Sequence, residues 1–177
     1  MDLAPGVRTH RKIYAFVLLL MLALSDVTLA QMPLEKPEGP VLLRVSGNIS
    51  RVNVGDEAHF DRGMINALPE RVLETSTSVS EGMNTFEGIL MRDLLAEVGA
   101  SGEVVIASAL NGYAAKIPIE DFTAYDVIVA LVMDGKVLTP RNKGPLWIVY
   151  PRDDFDELRD IRYDYRWVWQ LSHIEVR

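Results

Sequence analysis

The fold of this chain is decided by residues 135–177, which read GKVLTPRNKGPLWIVYPRDDFDELRDIRYDYRWVWQLSHIEVR. The apolar run Leu146–Tyr150 follows a Gly-Pro pair and ends at Pro151, which predicts a short buried strand. The alternating residues His173–Val176 predict a final strand. Between them, Arg152–Arg166 is dense in acids and arginines. We expect it to be a solvated, self-paired surface segment whose aromatic side chains leave room for a protein partner.

Further strands are predicted upstream by turn signals and apolar runs. Asn111-Gly112 and Asp134-Gly135 each separate two apolar runs, and such pairs are the strongest short hairpin signal because they accept positive φ. The runs Val41–Val45 and Arg71–Val79 predict two more strands.

Short helices are indicated at two places. Asp61 precedes the sequence RGMINALP and is the expected N-cap of a helix that stops at Pro69. Leucines at positions 90, 94 and 95 share a helix face with Val98, and Gly99 is the expected left-handed residue at the helix end. The sequence therefore predicts an α+β fold, a strand-dominated single domain with short helices.

The first thirty residues are predicted to be a signal peptide. Basic residues precede the apolar run Ile13–Leu24, and Thr28-Leu29-Ala30 offers a small-residue cleavage site, which is the usual layout of a secretory signal. A retained membrane anchor is the alternative, although a spanning helix needs about 20 apolar residues. We expect a signal peptide (1–30), an extended leader (31–40) and a domain (41–177) that is periplasmic or secreted.

Composition excludes several classes of function. The chain has no cysteine. It therefore has no thiolate that could act as a nucleophile or a metal ligand, and no disulfide. Its net charge of −7 disfavours nucleic acid, because attraction to phosphate supplies most non-specific affinity. Only two histidines remain after the predicted signal peptide, His59 and His173; these are too few for a histidine-rich metal site, and none is predicted. The oligomeric state is left open.

A resemblance to a known family rests on the order and spacing of several short motifs. The motifs are Phe86-Glu87-Gly88, Ala109–Tyr113, Ile117-Pro118, Gly144–Trp147, Tyr150-Pro151, and Trp167 ahead of Ile174–Val176. Together they resemble a small exported bacterial version of the oxidoreductase molybdopterin-binding domain, which has the sulfite-oxidase fold. The resemblance implies that fold for most of residues 41–176.

Two departures from the family bear on its chemistry. The resemblance implies that catalytic members have a molybdenum-binding cysteine near the position of Val79, and an arginine where this chain has Trp147. Valine cannot ligate a metal, and an indole offers one donor where a guanidinium grips an anion with two. The basic segment before the apolar run also has no adjacent arginine pair of the kind that marks folded export.

The resemblance also supplies candidate site residues, because it implies that several segments converge on a pterin pocket. A cationic loop at 141–143 would suit a phosphate or carboxylate. The alternative roles are a turn that tolerates positive φ for Asn111 and core packing for the two tryptophans. The candidate binding residues are Asn111, Tyr113, Arg141, Asn142, Lys143, Trp147, Arg166 and Trp167, with no catalytic and no metal residue.

These observations give two hypotheses about function. The first is a molybdopterin-oxidoreductase-like domain that is degenerate at the metal site, carries no cofactor, and binds a small anionic ligand or a membrane or sensor protein partner. The alternative is an active oxidoreductase that holds molybdopterin without a cysteine ligand. Whether the domain is an enzyme is therefore left open.

Overall fold

The computed structural model describes residues 34–177. The predicted signal peptide, 1–30, lies outside the described residues. The described part of the leader, 34–40, contains no helix or strand, but it contacts the domain. The side chain of Leu34 is buried, and the backbone amides of Glu38 and Gly39 each donate to Oδ2 of Asp61 at 2.7 Å. Among the described residues, no helix has the length and apolar character needed to cross a bilayer.

The described residues contain more strand than helix, and the helices are short. The strands are β1 (Leu43–Gly47), β2 (Ala58–Phe60), β3 (Glu70–Thr77), β4 (Ser80–Leu90), β5 (Val104–Ala109), β6 (Ala114–Pro118), β7 (Ile128–Met133), β8 (Lys136–Val137), β9 (Trp147–Val149) and β10 (Leu171–Val176). The helices are α1 (Arg62–Asn66), α2 (Met91–Glu97), α3 (Glu120–Ala124), a 3₁₀ turn (Asp156–Arg159) and α4 (Ile161–Asp164).

The strands form two sheets that share one hydrophobic core. The first sheet has the order β2-β1-β10-β5-β6, and β1 and β10 are parallel. The second has the order β3-β4-β7-β8, and β9 also pairs with β7. A single cluster of buried side chains draws on both sheets. The α+β, strand-dominated prediction is therefore confirmed.

The two predicted hairpins form, but their turns differ. Asp134 and Gly135 have φ values of 51° and 69°, as expected for an Asp-Gly turn. In the other hairpin only Gly112 has a positive φ, of 85°. The turn role expected of Asn111 is thus wrong in its mechanism: its Oδ1 accepts the N–H of Tyr113 at 3.0 Å, which is how asparagine side chains close turns.

The longest strand, β4, was not predicted from the sequence. The predicted strand Arg71–Val79 ends at Thr77, and the next two residues form the turn into β4. The first half of β4 is polar, and its place in the sheet depends on pairing with β3 and β7. Gly88 permits that pairing, because a Cβ there would lie 2.1 Å from the backbone oxygen of Val129.

Local signals for the helices are confirmed. Oδ1 of Asp61 accepts the N–H of Met64 at 2.9 Å and caps α1, and Gly99 has a φ of 58° just past α2. The segment 152–166 is self-paired as expected, for example between Arg162 and Asp160 at 2.9 Å. It also folds into the 3₁₀ turn and α4, and it buries Leu158, so it is anchored to the core.

Candidate functional site

The structure brings five of the eight candidate residues into one line of contacts. Oη of Tyr113 donates to the backbone oxygen of Tyr165 at 2.7 Å, next to Arg166. The rings of Trp167 and Trp147 have centroids 6.4 Å apart, and Nζ of Lys143 lies 5.3 Å from the Trp147 ring centroid. Lys143 is half-buried, and its ammonium group is within cation–π range of that ring.

The other three candidate residues do not join this line. Asn111 bonds within its own turn. Arg141 and Asn142 are exposed, and the backbone amide of Asn142 donates to the Thr139 oxygen at 2.8 Å. The side chains of this loop therefore remain available to solvent.

Arg166 is engaged in a buried polar network. Its Nη1 donates to Oδ2 of Asp121 at 2.5 Å, and the same oxygen accepts Oη of Tyr150 at 2.7 Å. Burial and the nearby charge of Asp121 raise the pKa of Tyr150 well above its usual value. Burial opposes the charge of Arg166, yet its hydrogen bonds to Asp121 and Tyr165 raise its pKa. Arg166 therefore connects its own segment to Asp121 of α3, and its guanidinium is not free to bind an anion.

Trp147 occupies the core at the position where the resemblance implies an arginine. It is fully buried, and its ring meets Phe86 edge to face with centroids 5.3 Å apart. Within residues 34–177, the indole nitrogens of Trp147 and Trp167 are buried without a hydrogen-bond partner. Buried indole N–H groups usually find an acceptor, so these two donors are unusual.

The loop between β8 and β9 is held in shape by its backbone. The Thr139 oxygen accepts the amide of Gly144 at 2.7 Å, and the Lys143 oxygen accepts the amide of Gln170 at 2.8 Å. A Cβ on Gly144 would lie 2.4 Å from the carbonyl carbon of Leu138. The glycine of the Gly-Pro-Leu-Trp motif is therefore required by close backbone packing.

A cleft that the sequence did not indicate lies beside this loop. Its volume is about 570 Å³, and its lining includes Arg44, Arg62 and the loop residues Pro140 and Pro145. None of the eight candidate residues lines it. The one available signal was Arg44, a charged residue in the otherwise apolar run VLLRV of β1. Arg62 and Val137 also line a neighbouring cleft of about 420 Å³.

The position of Val79 is fixed by a chain of hydrogen bonds. Val79 is 42% exposed in the β3–β4 turn, and its amide donates to Oγ1 of Thr77 at 3.1 Å. The Thr77 hydroxyl contacts the Ser80 hydroxyl at 2.5 Å, and the Ser80 hydroxyl donates to Oδ1 of Asn84 at 2.5 Å. Nδ2 of Asn84 in turn donates to Oδ2 of Asp134. The described residues contain no group of three or more histidines and carboxylates arranged to hold a metal ion.

Molybdopterin, the cofactor that the resemblance implies, fits these side chains poorly. Val79 offers no ligand atom, and Trp147 is packed into the core. The guanidinium of Arg166 is paired with Asp121. The two unpartnered indole donors are the observation in favour of a bound group. Donors alone do not replace a thiolate as a molybdenum ligand.

Comparisons with known proteins agree with this fold. Thirty chains of solved structures match. One is the crystal structure of the sulfane dehydrogenase SoxCD from Paracoccus pantotrophus, with a TM-score of 0.59 and 16% sequence identity. The match covers 81% of this chain but only 40% of that one. No curated protein sequence matches. The family model described as the oxidoreductase molybdopterin binding domain matches residues 63–176, and the chain therefore belongs to that family.

Proposed function

We propose that this domain binds a small anionic ligand outside the cytoplasm and is degenerate at the metal site of its family. The observation that carries the proposal is the side chain in the β3–β4 turn. Val79 stands there without any ligand atom, and its turn is closed by hydroxyl and amide groups. Oxygen-transfer chemistry at molybdenum depends on soft ligands of the thiolate kind.

The distribution of positive charge supports the binding of an anionic ligand. The chain is acidic overall, yet four cationic side chains are associated with one loop and the cleft beside it: Arg44, Arg62, Arg141 and Lys143. Within residues 34–177, none of the four forms an ion pair with a carboxylate. Guanidinium and ammonium groups in such an arrangement suit a carboxylate or phosphate.

A protein partner remains the second form of the same proposal. Ile161 is 80% exposed on α4, and the half-exposed Tyr165 follows that helix. The half-exposed Tyr113 is hydrogen-bonded to the backbone of Tyr165. Exposed apolar side chains of this kind favour a surface on which a membrane or sensor protein docks.

The alternative function is an oxidoreductase that holds molybdopterin without cysteine. The unpartnered indole nitrogens of Trp147 and Trp167 favour it, because a bound group with acceptor atoms would satisfy them. Elemental analysis separates this alternative from the proposal, since it requires molybdenum in the native protein.

Anion binding is tested by a thermal-shift series with matched charged and neutral compounds. Benzoate, hexanoate and phosphate should raise the melting temperature, whereas benzamide and hexanamide should not, because only the anions can pair with arginine and lysine. A ligand at 100 times its Kd stabilises the folded state by about 2.7 kcal/mol, which is a readily measured shift. Equal effects of benzoate and benzamide would contradict the proposal.

A further inference from the structure

The cleft beside the β8–β9 loop has the dimensions of a small-molecule site. Its volume of about 570 Å³ falls within the range of roughly 300–1,000 Å³ that ligand pockets occupy. Its walls come from β1, α1, β8, β10, the turn after β5 and the loop itself. On the loop side, the backbone oxygens of Thr139 and Lys143 accept hydrogen bonds that hold the loop in shape.

Two arginines supply the positive charge of the cleft. Arg44 lies on β1 and Arg62 begins α1, and both line the cleft. Among the described residues, neither forms an ion pair. Both guanidinium groups therefore have donors available for an anion, in the planar geometry that matches a carboxylate.

Within the described part of the chain, carboxylates lie near the two arginines but form no ion pair with them. Glu57 interacts electrostatically with Arg44, and its Oε2 is bonded to Nε2 of His59 at 2.6 Å. Glu70 and Glu87 line the neighbouring cleft together with Arg62. Among residues 34–177, the lining of the cleft itself includes both arginines and no carboxylate.

The remaining walls of the cleft are mostly apolar. Val41, Leu110 and Val137 line it and are 43%, 56% and 54% exposed. The other residues of these walls are Leu42, Leu138, Pro140 and Pro145 with the polar Thr139 and Ser172. Burying such side chains under a hydrocarbon group is favourable, since apolar area leaves water. Inorganic phosphate would leave this surface exposed, whereas an organic acid would cover it.

We infer that this cleft binds a small organic carboxylate, with the carboxylate between Arg44 and Arg62 and its apolar body against Val41, Leu110 and Val137. The inference rests on the proposed function, and it names the binding site and the class of ligand. It places the anion in the cleft rather than on the side chains of Arg141 and Lys143.

The test is calorimetric titration of the folded domain with acetate, hexanoate, benzoate and inorganic phosphate. Hexanoate and benzoate should bind at least about tenfold more tightly than acetate or phosphate, because part of each hydrocarbon body leaves water. The variants R44M and R62M keep an unbranched apolar stem and remove the charge. Each should weaken hexanoate binding by about tenfold or more, the value of one charge-assisted hydrogen bond.

Two further variants keep the test independent of folding. V137E places a carboxylate at an exposed wall position and should abolish hexanoate binding without unfolding the domain. The double variant R141M/K143M, in the adjoining loop, is the matched control and should bind hexanoate within about twofold of the wild type. Circular dichroism and melting temperature are recorded for every variant, because surface substitutions usually change stability by less than about 0.5 kcal/mol.

The outcomes separate this inference from the proposed function. If the wild type binds hexanoate and only R141M/K143M loses it, the domain is an anion-binding protein but the cleft is not its site. Binding of hexanoate no tighter than acetate, or unchanged binding in either R44M or R62M, would also overturn the inference. If the wild type binds none of the four anions, the proposed function itself fails.

Discussion

Removing the carboxylate of Asp121 should destabilise the domain strongly. The side chains of Asp121 and Arg166 are 10% and 16% exposed, so D121N leaves a guanidinium almost buried without its counter-charge. Breaking a buried ion pair from one side costs about 3–5 kcal/mol. The partial exposure of Arg166 favours the lower value, about 3 kcal/mol. For a domain of this size we expect a decrease in melting temperature of roughly 6–12 °C.

Companion variants give the network its internal controls. Y150F removes one hydrogen bond to Asp121 but leaves the ion pair, and should cost about 1.5 kcal/mol. The double variant D121N/R166M removes the stranded charge, and should therefore be more stable than the sum of the two single losses predicts.

Urea denaturation followed by circular dichroism measures all of these free energies of unfolding. Strict additivity of D121N and R166M would contradict this expectation, because it would show that the two side chains do not interact. A loss below about 1 kcal/mol in D121N would refute it as well, since that is the range of an exposed surface pair.

Three other predictions concern titration, packing and processing. The pKa of Tyr150 is raised in the folded protein by burial and by Asp121, so its contribution is complete below pH about 10, the value of an unfolded tyrosine, and is lost as pH rises through the folded pKa. Unfolding measured from pH 8 to 12 should therefore show a smaller alkaline loss in Y150F than in the wild type. G144A should cost about 1–3 kcal/mol, because its Cβ would meet the backbone of Leu138. G39A, whose Cβ would have ordinary contacts, should change little, and equal losses would contradict the packing argument. Intact-mass analysis of exported protein should give a chain that begins at Gln31, and a mass that includes residues 1–30 would contradict cleavage.

The parts of the fold that follow from local sequence were predictable. The Asp61 cap, the glycine after α2 and the Asp134-Gly135 turn each depend on residues adjacent in the chain. β4 was not predictable in this way, because it depends on pairing with β7 and on the bond of the buried Asn84 to Asp134, 50 positions away. These contacts form only after distant parts of the chain have come together.

The candidate site was predictable only in part, for the same reason. The family resemblance grouped Trp147, Arg166 and Trp167, and the rings of Trp147 and Trp167 do lie near each other. Arg166 is next to Trp167 in the chain. The sequence could not show that Arg166 is paired with Asp121, a residue 45 positions away. Nor could it place Arg44 and Arg62 in one cleft, since β1 and α1 meet there with a loop from the far end of the chain.

This domain belongs to the molybdopterin-binding family, and we propose that it carries no molybdenum. Elemental analysis of protein purified from its own host decides most directly between a domain with molybdenum and one without it. We predict molybdenum far below one atom per chain, because Val79 cannot replace a thiolate ligand, and V79C alone should not introduce the metal. Molybdenum near one atom per chain in the wild-type protein would contradict the account.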